Sequence, residues 1–326
     1  MNTFVIAEAG SNHNRNFDQA KSLIDVALNA GASACKFQTY SSETLYSKNT
    51  PDFAGYRDVN KLIRDVELPR EWQKELKKYC DDSGIEFMST PFDEKAVEEL
   101  VNIGVSRLKI SGFECTDFRF IDMVASSGLP IIISLGIGFE MNLIDRIFEI
   151  ANKYGNCLSF MHCNNAYPTP IEDAGISIVR RLSQDSRHNW GLSDHTESPL
   201  TPALAVAAGA KIIEKHFTLS KRLPGPDHSF ALEPRDLNQM IEYIKFSEKS
   251  LQLKESNQFS NSEIKFKNAM RSVVAKREIK KGELFTTDNI TTKRPFLTGN
   301  VPAKNFDLTI GKISDKLYNK DEFICT

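Results

Sequence analysis

The sequence predicts an α/β fold, a TIM (β/α)8 barrel followed by a small C-terminal β-rich domain. Short β-branched runs alternate with longer segments whose apolar residues recur at helical spacing, which is typical of a parallel sheet with crossover helices. Eight such strand-then-helix units end near residue 251, and a barrel of this kind takes about 250 residues. After a polar stretch the apolar runs become shorter and are separated by turn residues, which indicates a second domain.

The predicted barrel elements follow one another along residues 1–251. Each predicted strand is a short run rich in β-branched or aromatic residues, and the eight runs are 4–8, 34–38, 86–90, 107–111, 131–135, 158–163, 189–194 and 211–217. The segments between them place apolar side chains on one face, and several end at a glycine, a residue that caps helix C-termini. The eight predicted helices are 18–30, 71–83, 94–103, 118–127, 143–154, 176–182, 202–208 and 235–251.

Two further segments are predicted beyond the barrel. Residues 252–264 are rich in Ser, Asn and Gln, which is typical of a linker. Residues 265–326 contain three short strand-like runs, at 272–275, 284–285 and 290–293, broken by Lys281-Gly282 and Asp288-Asn289. A module of about 60 residues buries little apolar surface, so we expect it to rest on a partner surface.

Composition excludes several classes of protein. The 41 basic and 43 acidic residues leave a net charge of −2, so no nucleic-acid partner is indicated. The chain has no secretory leader pattern and no run of about 18 apolar residues, so we expect a soluble cytoplasmic protein without a membrane partner. The six cysteines are scattered without a CxxC pair, and we expect reduced and mostly buried thiols.

Polar side chains stand at the carboxyl ends of all eight predicted strands, which is where a TIM barrel carries its active site. Lys36 and Lys109 end two even-numbered strands, and we expect their ammonium groups to cradle a phosphate. Hydroxyl donors for the same cradle are Ser89, Thr90, Ser111 and Ser134. The alternative is that each lysine extends to solvent.

His195 and His216 close the seventh and eighth strands, which are neighbours in a barrel. Two neutral imidazoles together with water and substrate oxygens suit a divalent ion such as manganese, cobalt or zinc. Glu8 and Glu214 end the first and last strands, and near such charges they can act as acid, base or sugar anchor. The alternatives are that each histidine is structural and that each glutamate pairs with a core lysine. Asp227 lies on the next loop, where it is a candidate ligand or a turn former.

These motifs resemble those of the phosphoenolpyruvate-dependent synthases of nine-carbon sugar acids, namely the N-acetylneuraminate (sialic acid), legionaminate and pseudaminate synthases. The matching barrel segments are IAEAGSNHN at 6–14, KFQT at 36–39, STPFD at 89–93, CNNAYP at 163–168, GLSDHT at 191–196, IEKHFT at 213–218 and GPDH at 225–228. The segments RSVVA at 271–275 and IKKGE at 279–283 resemble the antifreeze-like (β-clip, or SAF) module that ends these synthases. The resemblance therefore covers nearly the whole chain.

The resemblance implies a site and an assembly. It implies a divalent ion, usually Mn²⁺ with Co²⁺ or Mg²⁺ as alternatives, on His195 and His216. It implies that the phosphate of phosphoenolpyruvate is held by Lys36, Thr90, Lys109, Ser134 and Asn165. The residues that would contact an acylated amino sugar are Glu8, Gln38, Tyr167, Glu214 and Asp227. It also implies a domain-swapped homodimer, in which Arg271 of one module reaches the barrel mouth of the other subunit.

Two departures from the family pattern indicate a divergent member. Gly112 stands where the family usually has a second serine, three residues after the lysine of the fourth strand, and this chain has Ser111 one position earlier. Leu135-Gly136-Ile137 replaces the usual Thr-Gly-Met. We expect an acylated mannosamine-type aldose as the sugar, with a diacetamido-trideoxyhexose, the substrate type of the legionaminate and pseudaminate enzymes, as the alternative.

Three other functions compete with this one. The first is another phosphoenolpyruvate–aldehyde condensation, such as that of the eight-carbon sugar acid synthases, and the GPDH loop and the C-terminal module argue against it. The second is a metal-dependent aldolase that uses pyruvate, which would release no phosphate. The third is an ice- or glycan-binding module carried on an inactive barrel, and a complete ring of polar strand ends argues against that.

Overall fold

Eight parallel strands form the centre of the larger of two structural units, Met1–Gln252 and Leu253–Thr326. The computed structural model describes residues 3–52, 55, 57–252 and 260–325. The strands are β1 Phe4–Gly10, β2 Ala34–Thr39, β3 Glu86–Pro91, β4 Leu108–Ile110, β5 Ile131–Leu135, β6 Leu158–Cys163, β7 Asn189–Asp194 and β8 Ile212–His216. Residues 253–259 of the predicted linker lie outside the described residues.

The sheet has the strand order β3-β2-β1-β8-β7-β6-β5-β4, and all the paired strands are parallel. Since β1 pairs with both β2 and β8, the first and last strands are neighbours, as a barrel requires. Cα atoms of the two outer strands, β3 and β4, approach within 8 Å of each other. The predicted TIM-type barrel is therefore confirmed as a nearly closed barrel.

Helices separate the strands along the larger unit. They are α1 Phe17–Ala30, α2 Val59–Val66, α3 Gln73–Ser83, α4 Glu94–Asn102, α5 Phe118–Ala125, α6 Ile144–Tyr154, α7 Ile176–Leu182, α8 Thr201–Ala207 and α9 Pro234–Ser250. Of these, α2 was not predicted, because it is short and its interior is mostly polar. Its first turn is capped by Asp58, whose carboxylate accepts a hydrogen bond from the Lys61 backbone N–H at 2.8 Å.

Strand β4 is shorter than the predicted run 107–111. The chain turns directly after Ile110, since the backbone N–H of Glu114 donates to the Ser111 carbonyl oxygen at 3.3 Å. The Ser111 hydroxyl also donates to the Glu114 carboxylate. These local bonds compete with the sheet for the same residues, so the strand ends two residues after Leu108.

The second unit contains the antiparallel strands β9 Ser272–Ala275 and β10 Ile290–Lys293 and the short helix α10 Phe306–Thr309. Its core contains Val273, Ala275, Ile279, Phe285, Ile290, Val301, Tyr318 and Ile324. The predicted strand at 284–285 is wrong: these residues make a single antiparallel bridge, between Leu284 and Ile313. Turns on both sides leave too few residues for a strand.

Two features of the described residues concern membrane-spanning helices and cysteines. Among the described residues, no helix is both long enough and apolar enough to cross a bilayer. All six cysteines are free; Cys157 and Cys325 are exposed, and the other four are buried, as expected.

Candidate active site at the carboxyl end of the barrel

Strand alternation positions the polar residues of the site. An apolar layer fills the barrel interior and consists of Ile6, Ala34, Met88, Ile132, Met161 and Ile212. Successive side chains of a strand point to opposite faces, so the residue two positions later faces the interior again. Those residues are Glu8, Lys36, Thr90, Ser134, Cys163 and Glu214, all of them buried. A polar layer therefore lies directly above the apolar one.

Lys36 lies at the centre of this layer and is only 2% exposed. Its Nζ is 2.7 Å from Glu8 Oε2 and 3.7 Å from Glu214 Oε2, and it donates to Thr90 Oγ1 at 2.9 Å. Gln38 Nε2 donates to Glu8 Oε1 at 2.7 Å. Lys36 therefore does not extend to solvent, and that alternative is wrong for it. Glu8 is paired with a core lysine, as the alternative for the glutamates predicted.

Lys109 forms the other side of the cluster and is likewise 2% exposed. Its Nζ donates to Ser134 Oγ at 2.8 Å and to the carbonyl oxygen of Ile110 at 2.9 Å, and it lies 3.8 Å from Glu214 Oε1. Glu214 Oε1 also accepts a hydrogen bond from Ser193 Oγ at 3.2 Å. Glu214 thus lies between the two ammonium groups, and Lys109, like Lys36, does not extend to solvent.

The two carboxyl groups differ in their pKa values. Burial raises the pKa of Glu8 to about 7, against the opposing effect of Lys36. Burial acts in the same direction on Glu214, but the ammonium groups of Lys109 and Lys36 outweigh it and lower the pKa of Glu214. Near neutral pH one carboxyl group can hold a proton while the other is ionised, which suits them to different acid–base roles.

The two histidines lie side by side, with ring centroids 5.4 Å apart, and both are buried. His195 Nδ1 donates to the carbonyl oxygen of Asn164 at 2.7 Å, which leaves the lone pair on Nε2. His216 Nδ1 is buried without a hydrogen-bond partner among the described residues. Burial lowers the pKa of His216 and lowers that of His195 to about 4. Both imidazoles are therefore neutral at pH 7, the form that binds metals.

This pair of donors fits a metal site completed by substrate. No group of three His, Cys, Asp or Glu residues in the described part of the chain is arranged to hold an ion. Two neutral imidazoles suit a borderline divalent ion that takes its other ligands from water and substrate oxygens. The metal on His195 and His216 stays a prediction.

Asp227 lies beside His216 at the barrel mouth. Its Oδ2 accepts hydrogen bonds from Ser11 Oγ at 2.8 Å and from the Ser11 backbone N–H at 3.1 Å, which ties the loop after β8 to the loop after β1. A Cβ atom on Gly10 would lie 2.8 Å from Asp227 Oδ2 and 3.2 Å from His216 Cε1. Gly10 has a φ of +50° and leaves room for both side chains.

Asn165 lies in a narrow slot between Gly112 and Gly136. Its Oδ1 accepts a hydrogen bond from the Ile137 backbone N–H at 2.8 Å, while its Nδ2 is buried without a partner among the described residues. A Cβ atom on Gly112 would lie 2.9 Å from Asn165 Nδ2, so a serine at that position would require the Asn165 side chain to shift. Gly112 therefore leaves room for Asn165 in this position, and Asn165 Nδ2 remains a donor for a ligand.

Three other predicted residues lie outside the buried layer formed by the strands. The Ser111 hydroxyl is bonded to Glu114 instead of a member of the cluster. Arg271 belongs to the second unit, where its Nη1 donates to the Thr292 carbonyl oxygen at 3.4 Å. Tyr167 is 42% exposed, and its ring centroid is 4.2 Å from that of His195.

Sequence reasoning missed two aromatic neighbours of the site. The ring of Phe230 lies 5.3 Å from that of His216, and the ring of Phe113 stacks on Tyr167 at 6.4 Å. Both residues lie on loops, where no periodicity indicates which side chain faces the site. The aromatic side chains place a partly apolar wall beside the imidazoles.

Comparison with known proteins finds two family models that match this chain. The NeuB family model matches residues 23–256, and the SAF domain model matches residues 270–324. The N,N'-diacetyllegionaminic acid synthase of Legionella pneumophila is 35% identical over 330 residues, which cover 97% of this chain and 92% of that protein. The pseudaminic acid synthase of Campylobacter jejuni is 34% identical over 323 residues, which cover 96% of this chain and 92% of that protein.

A solved structure extends the comparison to three dimensions. The N-acetylneuraminic acid (sialic acid) synthetase of Leptospira borgpetersenii, crystallised in complex with citrate, superposes with a TM-score of 0.74 at 32% identity, and the match covers 82% of this chain and 92% of that one. The family match spans most of the barrel, and the SAF match confirms the predicted antifreeze-like module. The chain therefore belongs to the NeuB family of sialic-acid-type sugar-acid synthases.

Proposed function

We propose that this protein condenses phosphoenolpyruvate with the aldehyde of an acylated mannosamine-type aldose, giving a nine-carbon sialic-acid-type sugar acid and inorganic phosphate. The observation that carries the proposal is the buried cluster of Lys36, Lys109 and Glu214 at the same barrel rim as His195 and His216. Two buried cations with hydroxyl partners suit a phosphate ester, and a pair of neutral imidazoles suits an ion that binds an aldehyde oxygen.

The phosphate end of the site is formed by strands β2 to β5 and the loop after β6. Lys36 and Lys109 supply charge, Thr90 and Ser134 lie within hydrogen-bond distance of their ammonium groups, and Asn165 Nδ2 supplies a donor with no protein partner among the described residues. Charge-assisted hydrogen bonds of this kind hold phosphate oxygens more strongly than neutral ones. Ser111 is left out of this assignment because its hydroxyl is engaged by Glu114.

The sugar end is formed by Glu8, Gln38, Tyr167, Glu214 and Asp227. His195 and His216 would hold a divalent ion, Mn²⁺ in the first instance with Co²⁺ or Mg²⁺ as alternatives. When bound, such an ion supplies Lewis-acid polarisation of the aldehyde oxygen. The aromatic rings beside the imidazoles cover the apolar part of the sugar and reduce the access of water.

The reaction forms one C–C bond and breaks one C–O bond. The methylene carbon of phosphoenolpyruvate attacks the aldehyde carbon, and Glu8, whose raised pKa lets it hold a proton near pH 7, gives that proton to the aldehyde oxygen. Water adds at the former enol carbon, and the ionised Glu214 accepts a proton from it. The hydroxyl group now on this carbon passes its proton to the departing phosphate as the C–O bond breaks, and a keto group remains. Proton exchange with solvent returns Glu8 and Glu214 to their starting states.

The identity of the sugar has a second candidate. The legionaminic and pseudaminic acid synthases to which the chain is similar favour a diacetamido-trideoxyhexose as the alternative to an acylated mannosamine. We also propose a domain-swapped homodimer in which the SAF domain of each subunit covers the barrel mouth of the other, with Arg271 contacting the sugar. A covered mouth excludes the water that would protonate the enol to pyruvate.

Phosphate release from phosphoenolpyruvate tests the proposal. Purified protein is incubated with phosphoenolpyruvate, Mn²⁺ and each of a set of acylated hexosamines and diacetamido-trideoxyhexoses, with and without chelator. We expect stoichiometric phosphate and sugar acid with at least one sugar, and no release with chelator present. Consumption of pyruvate with the same sugars, without phosphate release from phosphoenolpyruvate, would establish the aldolase instead.

Replacing either buried lysine with methionine should weaken phosphoenolpyruvate binding. Methionine keeps most of the volume and removes the charge, so we expect a loss of about 1.5–3 kcal/mol for each of Lys36→Met and Lys109→Met, the scale of a hydrogen bond to a charged group. The KM for phosphoenolpyruvate should rise more than the KM for the sugar. The control is Lys78→Met, which removes an exposed lysine of α3 that pairs with Asp82. Unchanged KM values in both buried-lysine variants would refute the assignment.

A further inference from the structure

A buried ion pair lies directly behind the two imidazoles. Asp194 Oδ2 and Lys215 Nζ are 2.6 Å apart, and the two residues are only 3% and 1% exposed. They stand opposite each other in the β7–β8 ladder. Lys215 lies between Glu214 and His216, so its side chain leaves the sheet on the side away from the cluster. No step of the proposed reaction uses this pair.

The pair holds the backbone on both sides of His195. The Asp194 carboxylate accepts hydrogen bonds from the Thr196 backbone N–H at 2.9 Å and from Thr196 Oγ1 at 3.1 Å. Lys215 Nζ donates to the Thr196 carbonyl oxygen and, at 3.2 Å, to Thr196 Oγ1. The carbonyl oxygen of His195 itself accepts from the Thr169 backbone N–H at 2.9 Å. The two charged residues directly precede the two imidazoles in sequence, so the bonds of Lys215 to Asp194 and Thr196 couple the backbone that carries His216 to the backbone that carries His195.

Stability alone is a weak reason for this arrangement. Removing two charges from water costs several kcal/mol per ion, and replacement of a buried ion pair by apolar residues of similar volume is often neutral or stabilising. Hydrophobic contacts, however, are not directional. The bonds from Asp194 and Lys215 to Thr196 specify where the backbone of His195 lies relative to β8, which contacts between apolar groups would not do.

We propose that Asp194 and Lys215 are positioning residues that hold His195 and His216 in the arrangement that binds a divalent ion. This inference rests on the proposed function in one respect: it takes His195 and His216 as the metal site. Groups that orient metal ligands without touching the ion change metal affinity by about 10- to 100-fold when they are replaced.

A double variant separates positioning from stability. In Asp194→Leu/Lys215→Met both charges are removed together, so no unpaired buried charge remains. We expect its dissociation constant for Mn²⁺ alone, measured from the electron paramagnetic resonance signal of free Mn²⁺, to rise by about 10- to 100-fold while the melting temperature stays near that of the wild type. Should this double variant fail to fold, Asp194→Asn/Lys215→Met, which keeps the shape of the acidic side chain and also leaves no unpaired charge, is measured in the same way.

The control removes another ion pair of the same barrel, one that is only partly buried. Arg107 Nε is 2.7 Å from Glu86 Oε1, at the amino end of β3 and β4, opposite the site. Glu86→Leu/Arg107→Met should leave the Mn²⁺ dissociation constant unchanged. An equal loss of affinity in this control would show that any ion pair of the barrel has the effect and would overturn the proposal.

A metal-free measurement distinguishes this proposal from the proposed function. The proton on His195 Nδ1, bonded to the Asn164 carbonyl oxygen, should exchange slowly with solvent in the apo protein and can be followed by NMR of histidine-labelled protein. We expect faster exchange in the double variant and no change in the control. If wild-type protein binds no Mn²⁺ while this proton still responds, the metal site is wrong and the positioning role stands. Unchanged affinity and unchanged exchange in the folded double variant would overturn the positioning role.

Discussion

His195→Ala and His216→Ala variants are expected to lose divalent-ion binding and turnover together. Each substitution leaves a single imidazole, and no group of three ligating residues in the described part of the chain offers a replacement. With one protein ligand gone, the ion is no longer held where it stabilises charge on the aldehyde oxygen. We expect kcat/KM to fall by more than about 100-fold, the scale for losing one electrostatic contact to developing charge. Calorimetric titration with Mn²⁺ and phosphate release are measured on the same samples.

His188→Ala is the control for the two histidine variants. His188 precedes β7, at the opposite end of the barrel, and its ring stacks on Phe148 with a centroid distance of 4.6 Å. This variant removes an imidazole and an aromatic contact without touching the polar rim, so ion binding should be unchanged. Full turnover of the wild type after exhaustive chelation, or normal Mn²⁺ binding by either site variant, would contradict the metal assignment.

Arg271→Ala is expected to fold and dimerise but to lose most of its activity. In the swapped dimer that we propose, this guanidinium contacts the sugar bound in the neighbouring barrel. Losing one charge-assisted hydrogen bond of about 1.5–3 kcal/mol lowers kcat/KM by about 10- to 150-fold. Arg277→Ala is the control, because Arg277 pairs with Glu283 within its own SAF domain. A comparable loss in both variants would indicate a general effect on this domain.

Mixing two inactive variants tests whether the site is shared between subunits. A mixed dimer of Arg271→Ala and His195→Ala has one mouth with an intact barrel and an intact partner arginine, and a second mouth with neither. Random exchange of an equal mixture makes half of the dimers mixed, so about a quarter of all sites should recover. Phosphate release is measured after native mass spectrometry has confirmed exchange. Exchange without recovered activity would rule out the shared site.

Much of the barrel and its polar rim was predictable from local patterns. Six of the predicted strands begin at the same residue as in the structure. The signal for a strand, a β-branched run bounded by turn residues, depends only on neighbouring residues in the sequence. The same alternation that buries Ile6 places Glu8 on the inner face. The helix α2 and the early end of β4 were not predicted, since capping by Asp58 and the turn at Ser111 depend on a few local hydrogen bonds.

The sequence by itself determined the order of the elements, the two-domain composition and the residue types that meet at the rim. The first two follow from the periodicity of apolar residues, and the third follows because parallel strands end at the same edge of the sheet. Only the tertiary structure decided how those residues interact. Side chains distant in sequence decide whether Lys36 pairs with Glu8 or reaches solvent. They also decide how Asn165 fits beside Gly112. The divergent pKa values of Glu8 and Glu214 likewise arise from burial and from the distances to two lysines, which exist only once the barrel has formed.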